Sequence, residues 1–240
     1  MKEGKTRHRV HAGLGILIAV AAIFIFLISS FEIGAYADYG FYEKEYEKYQ
    51  VADDLGMDMW DIMKVTRYMM SYLRGGEDVL SIEAYIEGVD QDFFNEQDRF
   101  HMGEVRELFL GGLMLRRIVL IILVAAAVFL IKDCKEWKVL LSKMYQRTLA
   151  VFLSLTVILG ILFSQDFNKY FVIFHHIFFD NDQWIFDPAT DYMIRMLPEG
   201  FFYDMVMRIG VIFILFLLLF LAVSITVRVF IRKKQKACGQ

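Results

Sequence analysis

The chain has 240 residues, 57% of them hydrophobic and 16% aromatic, and a formal net charge of −3. Soluble domains contain about 45–50% apolar residues, so this composition argues against an ordinary soluble protein. A content of only 2 prolines argues against a proline-rich disordered chain. The small net charge gives no sign of a nucleic-acid partner, and the distribution of charge along the chain is more informative.

Four apolar segments are long enough to cross a bilayer as helices. A helix rises about 1.5 Å per residue, so about 20 residues cross the ~30 Å hydrocarbon core of a membrane. None of the four segments has a charged residue near its middle. We predict transmembrane helices over residues 12–31, 113–131, 148–164 and 207–227.

The segments between and beyond these spans differ in charge. Residues 1–11, 132–147 and 228–240 are rich in Lys and Arg. Residues 32–112 carry 19 acidic against 7 basic residues, and residues 165–206 carry 7 against 2. Because short basic segments stay on the cytoplasmic side, we expect both termini and the 132–147 loop in the cytoplasm and the two acidic segments outside.

Two features near the spans bear on processing and redox state. Cys134 and Cys238 both fall in cytoplasmic segments in this topology, where thiols stay reduced, so we expect neither a disulfide nor a metal ligand. Ala35-Tyr36-Ala37 has the small-residue pattern of a signal-peptide cleavage site. The apolar run before it exceeds the usual ~7–15 residues of a signal peptide, which favours a retained span.

The first acidic segment, residues 32–112, contains a helical pattern. Apolar side chains from Met59 to Leu73 recur at the spacing of one helix face. Asp58 is a plausible N-cap, and Gly75-Gly76 is expected to end the helix. The Met-rich face of this helix either packs on the rest of the segment or lies on lipid.

A strand is predicted next. Residues 80–87 alternate apolar and polar side chains, which is typical of a half-buried strand, and we expect its partner within residues 31–42. The predicted fold class is therefore a mainly α membrane protein. It has four transmembrane helices and a small, mostly helical extracytoplasmic domain that can include a short β-hairpin.

A second helix in this segment carries the first candidate site residue. It is predicted to begin at its N-cap, Asn95, and to end before Gly111-Gly112, which is expected to separate it from the second span. His101 lies on this helix about three turns outside the membrane. Asp98 and Glu104 lie three residues before and after it, where either carboxylate can orient the imidazole.

The second acidic segment is unusually aromatic. His175 and His176 lie inside the apolar run 171–179, which begins just beyond the third span. Aromatic side chains favour the membrane interface, so we predict a helix that lies along it. Turns are predicted at residues 180–183 and at Asp187-Pro188.

Three of the five histidines are outside in this topology: His101, His175 and His176. Bringing the two acidic segments together would form a histidine pair, and imidazoles can donate or accept protons at neutral pH. The plainer interpretation is a hydrogen-bonded side chain at the interface. A third is a metal site, because His101-x-x-Glu104 has a spacing found among ligands on helices, although the chain contains no His-Glu-x-x-His motif.

The residues also resemble a known family. Phe174-His175-His176-Ile177-Phe178-Phe179 is followed by Asn181, Trp184, Asp187-Pro188, Asp191, Leu197-Pro198-Glu199 and Phe201-Phe202. With residues 65–75 and 101–109, this pattern resembles the lipoprotein intramolecular transacylase family of Gram-positive-type bacteria, over nearly the whole chain.

The resemblance implies an acyltransferase of the plasma membrane with its active site on the extracytoplasmic face. Such an enzyme moves the sn-2 acyl chain of a diacylglyceryl-cysteine lipoprotein to the α-amine of its N-terminal Cys. The implied partners are diacylglyceryl-modified lipoproteins and membrane lipid, without nucleic acid. Neither a cofactor nor a metal is implied.

The resemblance also implies that His101 and His175 are catalytic. His175 is preferred to its neighbour His176 because the family's histidine directly follows Phe. The pair would act as acid and base, in an order that the sequence leaves open. Alternatively, His175 would form an acyl-imidazole.

The candidate substrate-binding residues are Asn181, Trp184, Asp187 and Arg116. Each also has a plain structural interpretation: the first and third shape turns, Trp184 anchors the interface, and Arg116 extends to the headgroups. Two other functions stay open, a metal-dependent hydrolase at the outer membrane face and a non-enzymatic membrane sensor or assembly protein.

Overall fold

A computed structural model describes the backbone of residues 2–238 and the side chains of residues 6–162 and 165–235. The side chain of Cys238 therefore lies outside the described residues. In chain order the elements are α1 Lys2–Tyr36, α2 Gly40–Lys48, α3 Val51–Leu55, α4 Met59–Leu73, β1 Glu83–Ile86, β2 Val89–Asp92, α5 Glu96–Asp133, α6 Trp137–Gln165, α7 Phe167–Phe178, α8 Tyr192–Met196 and α9 Glu199–Cys238.

Four of these helices, α1, α5, α6 and α9, are long and apolar enough to cross a membrane. The predicted fold class is confirmed: a mainly helical, multi-pass membrane protein with one small antiparallel hairpin in the part that the structure describes. The helices extend beyond the apolar segments that identify them. For example, α6 begins at Trp137, within the predicted 132–147 loop.

Helix α5 contradicts the predicted break at Gly111-Gly112. It runs without interruption from Glu96 to Asp133, so His101 and the apolar segment 113–131 belong to one helix. A glycine ends a helix when it adopts a positive φ, and neither of these two does. A helical glycine costs only about 1 kcal/mol relative to alanine, which the long apolar helix tolerates.

The chain packs as two compact units. The first, here called the apolar unit, comprises the residues up to 31, residues 114–164 and those from 210 onwards. Its core is formed by Ala19, Ile23, Phe26, Tyr145, Leu149, Phe213 and Leu217. The hydroxyl of Tyr145 donates to the carbonyl oxygen of Leu217 at 3.0 Å, which links α6 to α9.

The second, here called the acidic unit, comprises residues 32–113 and 165–209. Helix α4 has the predicted bounds and contributes much of the core, including Met63, Met69 and Met70. Its Met-rich face therefore packs within the unit. Asp58 occupies the N-cap position, but its side chain makes no capping hydrogen bond.

The hairpin in the acidic unit differs from the predicted strand. The first strand is shorter than residues 80–87, and it pairs with β2, which follows it directly. The expected partner within residues 31–42 is wrong, because that stretch lies mostly in α1 and α2. The two strands are joined by Glu87-Gly88, whose φ values of 52° and 90° match the tight turn that favours glycine.

The aromatic run of the second acidic segment forms α7, as predicted. Asp166 caps this helix by accepting a hydrogen bond from the backbone N–H of Lys169. His175 is buried, whereas Phe174, Ile177 and Phe178 are exposed. The helix therefore has an exposed apolar face, and its placement along a membrane interface stays a prediction.

Replacing Phe93 tests the core of the acidic unit. Phe93 follows β2 and is 1% exposed. Phe93→Ala is expected to lower the free energy of unfolding by about 3–5 kcal/mol, because burial is lost and a cavity remains. Val89→Ala, on β2, removes a side chain that is 58% exposed and should change it by less than about 0.5 kcal/mol. Equal melting temperatures of the two variants in detergent micelles would contradict this core.

Candidate active site

The start of α5 fixes the position of His101. Asn95 precedes the helix, and its side-chain Oδ1 accepts from the backbone N–H of Asp98 at 2.8 Å. In return, Oδ2 of Asp98 accepts from the backbone N–H of Asn95 at 3.0 Å. This reciprocal capping satisfies two backbone donors that a helix start otherwise leaves unpaired. His101 follows in the second turn of the helix.

His101 is enclosed by aromatic rings. It is 5% exposed, and its ring lies edge-to-face against Phe179 and Phe186, with centroid distances of 4.9 Å and 5.5 Å. The ring centroid of His175 is 5.8 Å away. The structure therefore brings together the two histidines that the resemblance singles out.

His175 is held by its own helix and by a tryptophan. It is 7% exposed, and its Nδ1 lies 2.8 Å from the carbonyl oxygen of Phe171. Because a carbonyl oxygen only accepts, Nδ1 carries the proton and donates it. The neutral ring then has a free lone pair on Nε2. The ring stacks on Trp184 at a centroid distance of 4.7 Å.

Burial sets the protonation state of both rings. Loss of hydration lowers the pKa of His101 to about 4, and the nearby His175 adds to the effect. Burial also lowers the pKa of His175, although the hydrogen bond to Phe171 opposes this shift. Both imidazoles are therefore neutral at pH 7, and each can accept a proton.

His176 has a different environment from its neighbour. Its side chain is exposed, and its ring lies perpendicular to that of Trp184 at 5.2 Å. Of the two adjacent histidines, His175 is therefore the one paired with His101.

The four predicted substrate-binding residues fall in different places. The amide Nδ2 of Asn181 donates to Oε1 of Glu104 at 2.7 Å. Trp184 stacks on His175, and Oδ1 of Asp187 accepts from the backbone of its own turn. Arg116 belongs to the apolar unit, where it donates to Ser29 Oγ at 3.2 Å.

Some residues of the site are not identified by sequence reasoning. Phe179 and Phe186 enclose His101; Phe179 belongs to the family motif, whereas no sequence pattern distinguishes Phe186 from other interfacial aromatics. Asp191, 3% exposed, accepts from the side chain of Asn95 and from the backbone N–H of Asp187. Its place in the family motif is the one sequence signal that marks it.

Unpaired polar atoms collect in this region. Among the described residues, the buried side-chain nitrogen and oxygen atoms without a hydrogen-bond partner are Asp98 Oδ1, His101 Nδ1, Glu104 Oε2 and Trp184 Nε1. Leaving such an atom unpaired costs about 1–3 kcal/mol, so proteins rarely keep several together without a functional reason. All four belong to the residues that form or flank the histidine pair.

The metal interpretation lacks a ligand set. Within the described parts of the chain, no group of three or more His, Cys, Asp or Glu side chains is placed to hold a metal ion. Among those residues, the His101-x-x-Glu104 spacing therefore has no third ligand beside it.

Comparison with known proteins identifies the family of the chain. The sequence model described as "Lipoprotein intramolecular transacylase Lit" matches residues 16–202. The chain belongs to this family. As a Lit family member it is a lipoprotein intramolecular transacylase, an acyltransferase of the membrane.

Individual relatives are more distant. An uncharacterized protein of Aquifex aeolicus is 27% identical over 223 residues, covering 90% of this chain and 97% of the relative. The membrane integral lipoprotein intramolecular transacylase Lit from Bacillus cereus superposes with a TM-score of 0.73 at 19% identity, covering 96% of this chain and 99% of that one. A variant of it with one histidine replaced by arginine gives 0.74 at 18%, covering 98% of both. These structures share the fold.

The lowered pKa of His101 predicts a pH-dependent stability. Between about pH 4 and 6.5 the unfolded state binds more protons at this residue than the folded state, so the stability rises with pH across that window. His101→Leu removes this contribution, while Asp98 and the other groups titrate in both proteins. The stability of the wild type relative to His101→Leu should therefore fall by up to about 3 kcal/mol on acidification from pH 6.5 to 4. Melting temperatures across this range measure it, and a pH-independent difference would contradict the burial of a neutral His101.

Proposed function

We propose that the chain moves the sn-2 acyl chain of a diacylglyceryl-cysteine lipoprotein to the α-amine of its N-terminal Cys, with His101 and His175 as the acid–base pair. The observation that supports this most strongly is the pair itself. Two buried imidazoles from separate segments of the chain lie with ring centroids 5.8 Å apart. A merely structural interfacial histidine needs no such partner.

The proposed reaction needs two proton acceptors. The α-amine has a pKa of about 8, so it arrives mostly as an ammonium ion. One neutral imidazole takes its first proton. The free amine nitrogen then attacks the ester carbonyl carbon and gives its second proton to the other imidazole. The carbon–oxygen bond to the glyceryl group breaks, and the first imidazole, now charged, donates its proton to the departing oxygen. The second imidazole then releases its proton to solvent, which restores the neutral pair.

The neutral state of both rings suits this sequence. A histidine protonated in the resting enzyme could not accept a proton from the substrate. Burial makes each imidazole a weaker proton acceptor, and desolvation of the incoming ammonium in the site lowers its pKa too, which offsets that effect. The amine and the ester belong to one molecule, so the main contribution of the protein is to hold them in a reactive pose. The ester-to-amide exchange is downhill and needs no external energy source.

The enclosing side chains support a lipid substrate. Phe179 and Phe186 exclude water from His101, and Trp184 covers His175. The exposed face of α7, with Phe174, Ile177 and Phe178, offers apolar contact to acyl chains at the membrane interface. We propose direct contact with the substrate for Trp184, whose buried indole N–H is unpaired. For Arg116 and Asp187, a substrate-binding role remains a proposal from the sequence alone.

The activity can be tested in a bacterium that lacks the final N-acylating enzyme of lipoprotein maturation. Mass spectrometry of one reporter lipoprotein should show one acyl chain on the Cys amine and one on the glyceryl group. His101→Ala and His175→Ala should each abolish this product, with a loss of at least about a hundredfold.

His176→Ala is the matched control, since it changes the adjacent, exposed histidine and should leave the product level near that of the wild type. A reporter that keeps a free amine, although the wild-type protein is present in the membrane, would refute the proposed function. Full activity in either His101→Ala or His175→Ala would refute the catalytic pair.

We further propose that both termini are cytoplasmic and that the acidic unit faces outwards, in a Gram-positive-type plasma membrane. The proposal rests on the Lys and Arg of residues 1–11, 132–147 and 228–240. A membrane-impermeant maleimide should label Asp78→Cys in intact cells, because Asp78 is an exposed residue of the acidic unit. The wild type, whose cysteines are Cys134 and Cys238, should be labelled only after the cells are opened. Labelling of the wild type in intact cells would show the opposite orientation.

A further inference from the structure

We propose that Glu104 is a positioning residue for His101: its carboxylate, held in place by Asn181, fixes the imidazole through Nδ1 and stabilises its charged form. His101 would then be the member of the pair that donates the proton to the departing glyceryl oxygen. This inference rests on the proposed function and adds to it which histidine donates the proton to the departing oxygen.

The carboxylate of Glu104 is anchored from the opposite segment of the acidic unit. Asn181, in the turn after α7, donates to Oε1 at 2.7 Å across 77 residues of sequence. The same amide side chain accepts from the backbone N–H of Gln183 at 2.9 Å, which fixes its own orientation. A residue that appears from the sequence to bind substrate thus has a carboxylate as its partner.

The other oxygen of Glu104 faces His101. Oε2 lies 3.8 Å from Nδ1 of the imidazole, and both atoms are buried and without a hydrogen-bond partner in the described part of the chain. This distance is longer than a hydrogen bond, but such contacts are often long without substrate and shorten in the working complex. A proton on Nδ1 would point at the carboxylate, and Nε2 would be free for the substrate.

Asp98 is a poorer candidate for this task, although it lies equally far along the helix on the other side. Its Oδ2 is already engaged by the backbone N–H of Asn95. Burial raises the pKa of Asp98 to about 6, and the charge of Asp191 adds to the effect, so burial disfavours the ionised form of this carboxyl. Glu104, whose Oε2 faces Nδ1 of His101, is therefore the better source of a compensating negative charge.

Such a charge determines which histidine becomes cationic. Glu104 on α5 and His175 on α7 are the titratable groups that interact with His101, and Asp98 lies three residues before it on α5. His176 acts on His175, and Asp191, before α8, acts on Asp98. For His175, the hydrogen bond at Nδ1 goes to the neutral carbonyl of Phe171 instead of a carboxylate. A carboxylate near a histidine favours the imidazolium. Burial disfavours a charge on His101 in the resting enzyme, so the positive charge should reside on His101 only once its contact with Glu104 shortens in the working complex.

Glu104→Gln tests this role. The change keeps the size of the side chain and an oxygen that can accept from Asn181, so the fold should be retained. With purified protein and a diacylglyceryl lipopeptide, kcat is expected to fall about tenfold or more while KM changes little. The alkaline limb of the kcat–pH profile should move to lower pH by about one unit, because the positive charge has lost its partner. Glu104→Asp, which keeps the charge, should return the limb towards its original position.

The matched control is Glu107→Gln, which changes an exposed acid one turn further along α5 and should behave as the wild type. A purely structural role for Glu104 would change the melting temperature or the amount of protein without moving the pH limb, and would overturn the inference. So would a kcat–pH profile identical to that of the wild type. If the wild type itself makes no product, or if His101→Ala is as active as the wild type, the failure lies in the proposed function.

Discussion

The site depends on the hydrogen bonds among Asn95, Asp98 and Asp191 at the start of α5. Asn95 and Asp98 cap the helix reciprocally, and the side chain of Asn95 also binds Asp191, at the start of α8. The capping bonds determine where the helix begins, and hence the direction in which each later residue points. His101 and Glu104 lie one and two turns beyond. A shift of the first turn by a single residue would rotate both by about 100° away from His175.

Aromatic side chains give these polar groups a nearly water-free environment. In such surroundings, hydrogen bonds and charges act more strongly than in water, and unpaired polar atoms are costly. The protein retains four such atoms beside the histidine pair. Such a group of unpaired buried atoms is expected at an active site, where polar groups needed for the reaction lower the local stability. The surrounding core, with Phe93, Phe94 and Met196 fully buried, offsets that loss.

Much of the architecture could be predicted from the sequence. A membrane span requires an apolar segment of a minimum length, and a packed helix requires apolar residues at a regular spacing. The four spans follow from length and polarity, and α4 follows from the spacing of its apolar residues. The break at Gly111-Gly112 fails because glycine permits a helix end without requiring one. The expected hairpin partner within residues 31–42 fails because Glu87-Gly88 forms a tight turn that pairs β1 with the strand directly after it.

The site could be predicted only in part. His101 and His175 are rare residue types on the same predicted side of the membrane, so their pairing follows from topology and family resemblance. The link between Asn181 and Glu104 could not be predicted, because no local rule joins side chains 77 residues apart. The sequence also does not reveal that Asp98 caps the helix, because Asp98 and Glu104 are equally spaced from His101.

The burial of the two imidazoles has a consequence for the habitat in which such an enzyme works. A site on the proposed outer face is exposed to the surrounding medium, whose acidity the cell does not control. An ordinary surface histidine would be about half protonated near pH 6.5. Because burial lowers the pKa of both rings, and that of His101 to about 4, the resting pair keeps its proton-accepting form in mildly acid surroundings. On the proposed acid–base mechanism, the reaction would then continue through a fall in external pH that would inactivate an exposed pair.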